Sequence, residues 1–487
     1  MPYTPPFPKP LDKSPKRSLW SLSKRARKSW LSILDESTYQ GHLSQIRLPG
    51  VHIFLVKLPA LIKEVLVDKY KSYPKHEMSE AVLKPLLGES IFTTNGPVWE
   101  RQRRMLDPAF GQAKLKEVFT LMRDGSKAMT QRFDKLGDGE VADIEIEMTH
   151  VTADIILRTI LSVSLEGEDA RKIFHGFNLF QEKASVLIQL GILRLPRWIL
   201  PHHYFTWKRT GKEIRELLAV TIRKRFDAYH RGDKGKYKDI LQSLLETTDS
   251  EDGSRYTLEE LVDQVAMLFL AGHETSASAL SWSLFLLAKC PEIQQRLHEE
   301  TVTLLGNREP EFKDIPRHKQ IRNVFKETMR VYPPVGFLTF RKAKGDQRMK
   351  NREIPDGSAL VVSPWLVHRH RELWDRPDEF DPDRFEGGLD QPSCAYIPFG
   401  QGPRICIGAA FATQEAMLIL AALTRRYRFE PGPGPDPEPT SRLTIRSLNG
   451  ISLRVFKRPE TNEPGTPFKP SVKPEETGSS EAKCPFH

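Results

Sequence analysis

Cys406 stands in the run Phe399-Gly400-Gln401-Gly402-Pro403-Arg404-Ile405-Cys406-Ile407-Gly408, a single sulfur presented by a loop with three glycines. Gly400 and Gly402 permit a tight turn and a closer approach to a flat object than a residue with a Cβ allows. Gly408 removes bulk just past the cysteine. From Ala409 the sequence AAFATQEAMLILAAL has high helix propensity and a continuous apolar stripe, so Cys406 falls just before or inside a helix N-terminus. Amides there favour a thiolate over a thiol. A bland alternative is a buried cysteine at a strand-helix junction.

Three other constellations carry chemistry. Thr257-Leu258-Glu259-Glu260 reads as a capping box opening a helix that continues to about Lys289, roughly three times the usual length. Inside it stands Ala271-Gly272-His273-Glu274-Thr275-Ser276. Thr275 can bond the carbonyl four residues back, and an acid beside an alcohol in an apolar helix can move protons. His273 reads as a packed or surface histidine, since no second metal ligand accompanies it. Glu327 and Arg330 share a helix face at i, i+3, as Trp99 and Arg103 do at i, i+4. Taken singly, each of these pairs is commonplace on a solvated helix.

The full pattern F-x-x-G-x-R-x-C-x-G around Cys406 resembles the haem-ligand loop of the cytochrome P450 superfamily, the haem-thiolate monooxygenases, and matches it at every fixed position. That resemblance implies a mainly α fold with a small β-rich region, one catalytic domain over residues 36–457, and haem b as cofactor. Cys406 would be the axial iron ligand, its electron donation favouring O–O cleavage, with Phe399, Gly400, Arg404 and Gly408 shaping the loop. Trp99, Arg103, Arg341 and Arg404 would hold the two haem carboxylates. Ala271 and Gly272 would leave the oxygen groove, and Glu274 and Thr275 would relay protons to bound oxygen. Arg384, in the P-x-R-F segment Pro382–Phe385, would complete a structural Glu327-Arg330-Arg384 cluster. Val335, Phe337, Leu338 and Leu448 become substrate-pocket candidates, and the apolar stretch 173–200 corresponds to the mobile roof of the pocket. The run His368-Arg369 with Trp374 also fits, except that His370-Arg371 replaces the usual Asp-Pro. The implied reaction inserts one atom of O₂ into a lipophilic molecule (a fatty acid, terpenoid or similar), with NAD(P)H electrons delivered by a ferredoxin or flavodoxin and its reductase. Arg101 and Arg104, with Arg425 and Arg426, are candidates for that partner's docking face. A peroxide-driven hydroxylase or isomerase of the same fold, and a non-catalytic haem-binding sensor, are the alternatives.

The elements that must position these groups are read from pattern. Val51–Val56 reads as the second strand of a hairpin, a helix follows at about 59–69, and 113–230 is mostly helical. Gly336–Arg341 reads as a strand after the helix-stopping Pro333-Pro334. The chain has 487 residues and 39% hydrophobic content, ample for a core. Its net charge of +10 is concentrated at the start, where residues 1–30 hold eight Lys/Arg against one Asp. The nearly neutral body excludes nucleic acid as a partner. Four cysteines without C-x-x-C pairing point to a reducing compartment and a cytoplasmic location. Residues 1–35 read as a basic, proline-rich arm with no secretory or spanning segment. Within it, 19–34 has helical apolar spacing beside a positive flank, which suits either docking on its own domain or peripheral contact with an anionic membrane. Residues 458–487, including Cys484, read as a disordered tail.

Overall fold

The computed structural model describes residues 3–8, 10, 29–48, 51–192, 200–233, 237–338, 340–441 and 443–459. In chain order the helices are α1 (Pro59–Lys63), α2 (Glu77–Leu87), α3 (Gly96–Leu106), α4 (Gln112–Phe133), α5 (Ile144–Leu161), α6 (Glu168–Ile192), α7 (Pro201–His230), α8 (Ile240–Glu246), α9 (Leu258–Lys289), α10 (Pro291–Leu305), α11 (Lys319–Val331), α12 (Pro364–Val367) and α13 (Ala409–Arg426). The expectation of a mainly helical protein holds. Among the described residues no helix is long and apolar enough to cross a membrane.

α9 is the axis. Thr257 Oγ1 accepts from Glu260 N–H at 3.2 Å and Glu260 Oε2 accepts from Thr257 N–H at 2.8 Å, so two orphan donors of its first turn are satisfied reciprocally. Pro291, just past its last residue, opens the next helix instead of extending this one. Trp282 stacks on Tyr332 at the end of α11, with centroids 4.0 Å apart. Ser278 Oγ and Trp282 Nε1 both donate to the carbonyl of Ile445, at 2.6 and 3.0 Å. Polar tips in an apolar interior thus fasten the helix to its neighbours.

The strands form small sheets at the edge. β1 (Leu43–Leu48) and β2 (Val51–Val56) pair antiparallel, β7 (Ala359–Val362) joins β2 in parallel, and β4 (Arg341–Lys342) completes a four-stranded sheet. β3 (Glu140–Asp143), β11 (Ser452–Lys457) and β8 (Tyr427–Pro431) form a second sheet, and β9 (Pro439–Ser441) pairs with β10 (Ile445–Ser447). The strand expected over Gly336–Arg341 begins only at Arg341. Leu338 N–H donates to Val362 while the Phe340 carbonyl accepts from His76, so the segment's bonds go to two different elements and no ladder forms.

One expectation about the chain start gains detail, and another falls mostly outside the described residues. Residues 3–8 do not stand apart from the body: Tyr3 bridges to Phe380, and the buried Tyr332 hydroxyl donates to the Pro6 carbonyl at 2.5 Å. Of the segment 19–34, residues 19–28 lie outside the described residues, as do 193–199 of the roof stretch and 460–487 of the tail.

Candidate active site

The cysteine loop is anchored by its own backbone. Cys406 N–H donates to the Phe399 carbonyl at 2.9 Å and Ile405 N–H to Gly402 at 2.9 Å. Gly400 and Gly402 have φ of +74° and +75°, the left-handed region that favours glycine. A Cβ on Gly402 would fall 2.1 Å from the Leu66 carbonyl oxygen, so this glycine's close approach is to the backbone of the π-helical turn Glu64–Asp68 that continues α1. Gly400 lies nearer the pocket candidates, its nearest neighbour being Leu338 Cδ1 at 3.9 Å. α13 begins three residues after Cys406, with Gly408 as its N-cap. Cys406 presents accessible surface, yet the surrounding protein desolvates it enough to push the thiol pKa up, against the opposing pull of the Gly408 amide and the Arg103 charge.

Behind this loop lies an ion pair without accessible surface. Arg330 bonds Glu327 through Nε and Nη2, both at 2.8 Å, and donates to the carbonyls of His368, Pro377 and Glu379. Arg384 joins more loosely, its Nε 3.4 Å from Glu327, while Asp381 N–H reaches the same carboxylate at 2.9 Å. His368 carries the connection forward: its Nδ1 meets the Met329 carbonyl at 3.3 Å and its Nε2 accepts from Ile397 N–H at 2.8 Å, two residues before Phe399. Burial and the Arg330 charge hold His368 neutral, its pKa lowered to about 3, which leaves Nε2 free to accept.

On α9, every residue from Leu261 to Ala288 is buried except Ala271, Gly272 and Thr275, which fall on one face at i, i+1 and i+4. Thr275 Oγ1 donates to the Ala271 carbonyl at 2.7 Å. Gly272 has a packing reason as well, because a Cβ there would meet Ile156 Cδ1 at 2.7 Å. His273 is packed, as expected: its Nδ1 lies 2.7 Å from the Phe269 carbonyl and its ring contacts Phe174, Phe177 and Phe269.

Glu274 differs from the simple proton relay of the sequence reading. Arg446 of β10 binds it through Nη2 at 2.7 Å and Nε at 3.0 Å, and Thr444 Oγ1 donates to it at 2.8 Å. Although burial opposes ionisation, Arg446 outweighs it and holds the carboxyl at about 2. Glu274 is therefore ionised at neutral pH. Sequence reasoning missed Arg446 and Thr444, which are remote in the chain, Arg446 in the three-residue strand β10 and Thr444 just before it, with no motif to mark them. It also missed Glu415 on α13, 1% exposed, whose two oxygens have no hydrogen-bond partner; burial, only partly offset by Ser276, pushes its pKa up to about 8.

The arginines expected near a cofactor converge on the loop. Trp99 is buried on α3, and Arg103 Nη1 donates to the Ile405 carbonyl at 2.7 Å while its Nε pairs with Asp107 at 2.7 Å. The Arg404 guanidinium lies 5.1 Å from the Trp99 ring centroid and donates to Tyr73 O at 3.1 Å. Arg341 is buried, its Nη1 has no hydrogen-bond partner, and no carboxylate pairs with it among the described residues. Burial and the neighbouring Arg404 charge lower its pKa to about 9. A buried cation left in this way at Arg341 calls for an anion.

A family model described as "Cytochrome P450" matches residues 19–454. The chain belongs to the cytochrome P450 family. It is 32% identical to "Cyclooctatin synthase" of Streptomyces melanosporofaciens, over 82% of this chain and 86% of that protein. It is 31% identical to "11-oxo-beta-amyrin 30-oxidase" of Glycyrrhiza uralensis, over 82% and 77%. Among solved structures, a "cytochrome P450DA heme domain" superposes with a TM-score of 0.77 and 25% identity, covering 86% of this chain and 90% of that one. The protein is thus a P450 monooxygenase, an oxidoreductase whose family binds haem iron.

The residues present suit that P450 cofactor. The donor set is one accessible cysteine sulfur, Cys406, at the end of the glycine loop, the kind of single ligand that an iron already held in a macrocycle takes. Arg341, lacking a partner, is matched to a carboxylate. Val335, Phe337 and Leu338 all retain accessible surface, and Leu448, 37% exposed, lies just beyond β10. The arginines considered for partner docking are engaged within the chain: Arg104 grips Asp249 at 3.0 Å and Glu251 at 2.9 Å, Arg101 pairs with Glu260 at 2.7 Å, Arg425 donates to the Arg308 carbonyl, and Arg426 lies 3.5 Å from Asp134. They tie loops to the body, and that use accounts for their placement.

Proposed function

We propose that this P450 inserts one oxygen atom of O₂ into a lipophilic small molecule of terpenoid or fatty-acid kind, by hydroxylation or epoxidation, with NAD(P)H electrons delivered by a separate ferredoxin or flavodoxin. The observation carrying this reading is the accessible patch Ala271, Gly272 and Thr275, midway along a helix that is otherwise buried from Leu261 to Ala288. The relatives named for cyclooctatin and for 11-oxo-beta-amyrin oxidation support the substrate class. Buried unpaired thiols at Cys290 and Cys394 support a cytoplasmic location.

Cys406 would bind the haem iron, Arg341, Arg404, Arg103 and Trp99 would hold its carboxylates, and Phe399, Gly400 and Gly408 would shape the seat. Haem, when bound, supplies the O₂-activating iron. The protein's part is proton handling and water exclusion. Thr275 Oγ1, anchored on the Ala271 carbonyl, is placed to turn its proton from that carbonyl toward the accessible patch. Glu274 is an ionised acceptor that orders donors around it, and it takes up a proton only when Arg446 is drawn away.

Thr275→Ala tests the reading. The expected variant folds and binds haem normally but diverts several-fold more reducing equivalents into peroxide than into product, measured as NAD(P)H consumed against product formed. Unchanged coupling, or full turnover with added peroxide alone, would favour a peroxide-driven enzyme.

A further inference from the structure

Away from the cysteine loop, α2, α7 and the first turns of α9 enclose an open groove of about 1100 Å³. Its floor is apolar, built from Pro85, Ala219, Leu258 and Val262, and Phe205 stands at one end with 67% of its surface exposed. A large aromatic left in water beside a continuous apolar floor marks a contact surface. The lips carry six cations, Lys84 on α2 and Lys208, Arg209, Lys212, Arg215 and Arg223 on α7, against Glu216 and Glu259.

The cations differ in how firmly they are engaged. Arg215 is structural, bound to Asp263 at 2.6 Å and to the Leu86 carbonyl at 3.1 Å. Arg209 and Lys212 reach Glu213 and Glu216 only at 3.4 and 3.6 Å, as exposed i, i+4 pairs that contribute little. Lys208 and Arg223 pair with no carboxylate among the described residues. Phe205, Lys208, Lys212, Ala219 and Arg223 follow one stripe of the helix. Loosely held positive charge is thus lined up along an apolar trough.

We propose that this groove binds a single-chain anionic amphiphile, its apolar chain along the floor and its carboxylate among Lys208, Lys212 and Arg223. The recessed floor favours one molecule over a bilayer surface, which requires apolar side chains projecting past the cations. The site is separate from the oxygen-handling turn: Val262 precedes Ala271 by nine residues of helix, roughly 13 Å.

The test uses the haem-loaded full chain with its iron blocked by a coordinating azole, so that the Soret band reports the haem pocket independently. A fluorescent C16 carboxylate is titrated below its micellar concentration. Saturable one-to-one binding is expected, unaffected by the azole, and weakened about tenfold in Lys208→Glu/Arg223→Glu and in 0.5 M salt, with the unlabelled C16 alcohol competing about tenfold less well than the C16 acid. Both substituted positions are exposed, and an unchanged Soret band and melting temperature confirm the fold. Binding that the azole abolishes, that the double variant leaves unchanged, or that requires anionic vesicles overturns the proposal, as does binding of an acidic peptide in place of the C16 acid. None of those outcomes touches the oxidative reading, whose failure shows instead in coupling.

Discussion

Two buried ion pairs, Glu327–Arg330 and Glu274–Arg446, follow opposite plans. Arg330 makes three of its five hydrogen bonds to backbone carbonyls, groups that cannot leave without local unfolding. Glu274 is held by side chains alone, Arg446 and the Thr444 hydroxyl, and Arg446 in turn touches Thr149 at 3.3 Å. Side chains rotate; carbonyls of a folded loop do not. The first pair is built to have one state, and through His368 and Ile397 it gives that single state to the cysteine loop. The second can open at the cost of side-chain motion alone.

The comparison breaks if the first pair is dispensable. Glu327→Ala or Arg330→Ala leaves an uncompensated buried charge costing roughly 3–5 kcal/mol, so little holoprotein is expected. The reduced carbon monoxide difference spectrum reads the result, and abundant, normally ligated holoprotein from either variant would remove the scaffold role.

Arg446→Met should keep the fold and the haem but cost about 1–3 kcal/mol, because the carboxyl can protonate and keeps its Thr444 bond, with a changed pH dependence. In the wild type Glu274 has its folded pKa depressed to about 2, so its contribution is complete above the ordinary carboxylate range and is lost as pH falls toward 2. Without Arg446 the folded pKa rises above the unfolded one, and stability should fall as pH rises through neutrality. Denaturant midpoints at pH 5.5 and 8 measure this; a loss equal at both pH values would contradict it.

Glu415 supplies a contrast with both pairs, being a buried carboxyl with no cation. Its folded pKa of about 8 exceeds the unfolded value, so it is neutral at pH 7 and stability declines as pH rises from the carboxylate range to about 8. Glu415→Gln should abolish that decline, so that the variant gains on the wild type as pH rises from 5 to 8, readable in melting temperature. Thr444→Val is the mildest probe, removing one hydrogen bond for about 1 kcal/mol. A loss as large as that of Arg446→Met would mean the hydroxyl, not the cation, holds Glu274.

Local chemistry was legible in the sequence. The capping box at Thr257, the bond from Thr275 to Ala271 and the position of Cys406 ahead of α13 each depend on residues within a few positions of one another. What could not be read were partners supplied across the fold. Arg446 lies 172 positions after Glu274, Leu66 explains Gly402 only once the π-helical turn continuing α1 packs there, and Asp249 claims Arg104 from a surface loop. Gly336–Phe340 looked like a strand because apolar alternation cannot show that its hydrogen bonds go to different elements.

The long separation of Glu274 from Arg446 also bears on how the chain is made. α9 leaves the ribosome roughly 10–30 s before its cation does, at ordinary rates of synthesis. Over that interval the centre of the helix carries a carboxyl with no cation, so a dry interior closes around it only if it takes up a proton. Completion of the core waits for the β9–β10 hairpin, and a nascent chain halted before Arg446 should remain open, protease-sensitive and a client of chaperones.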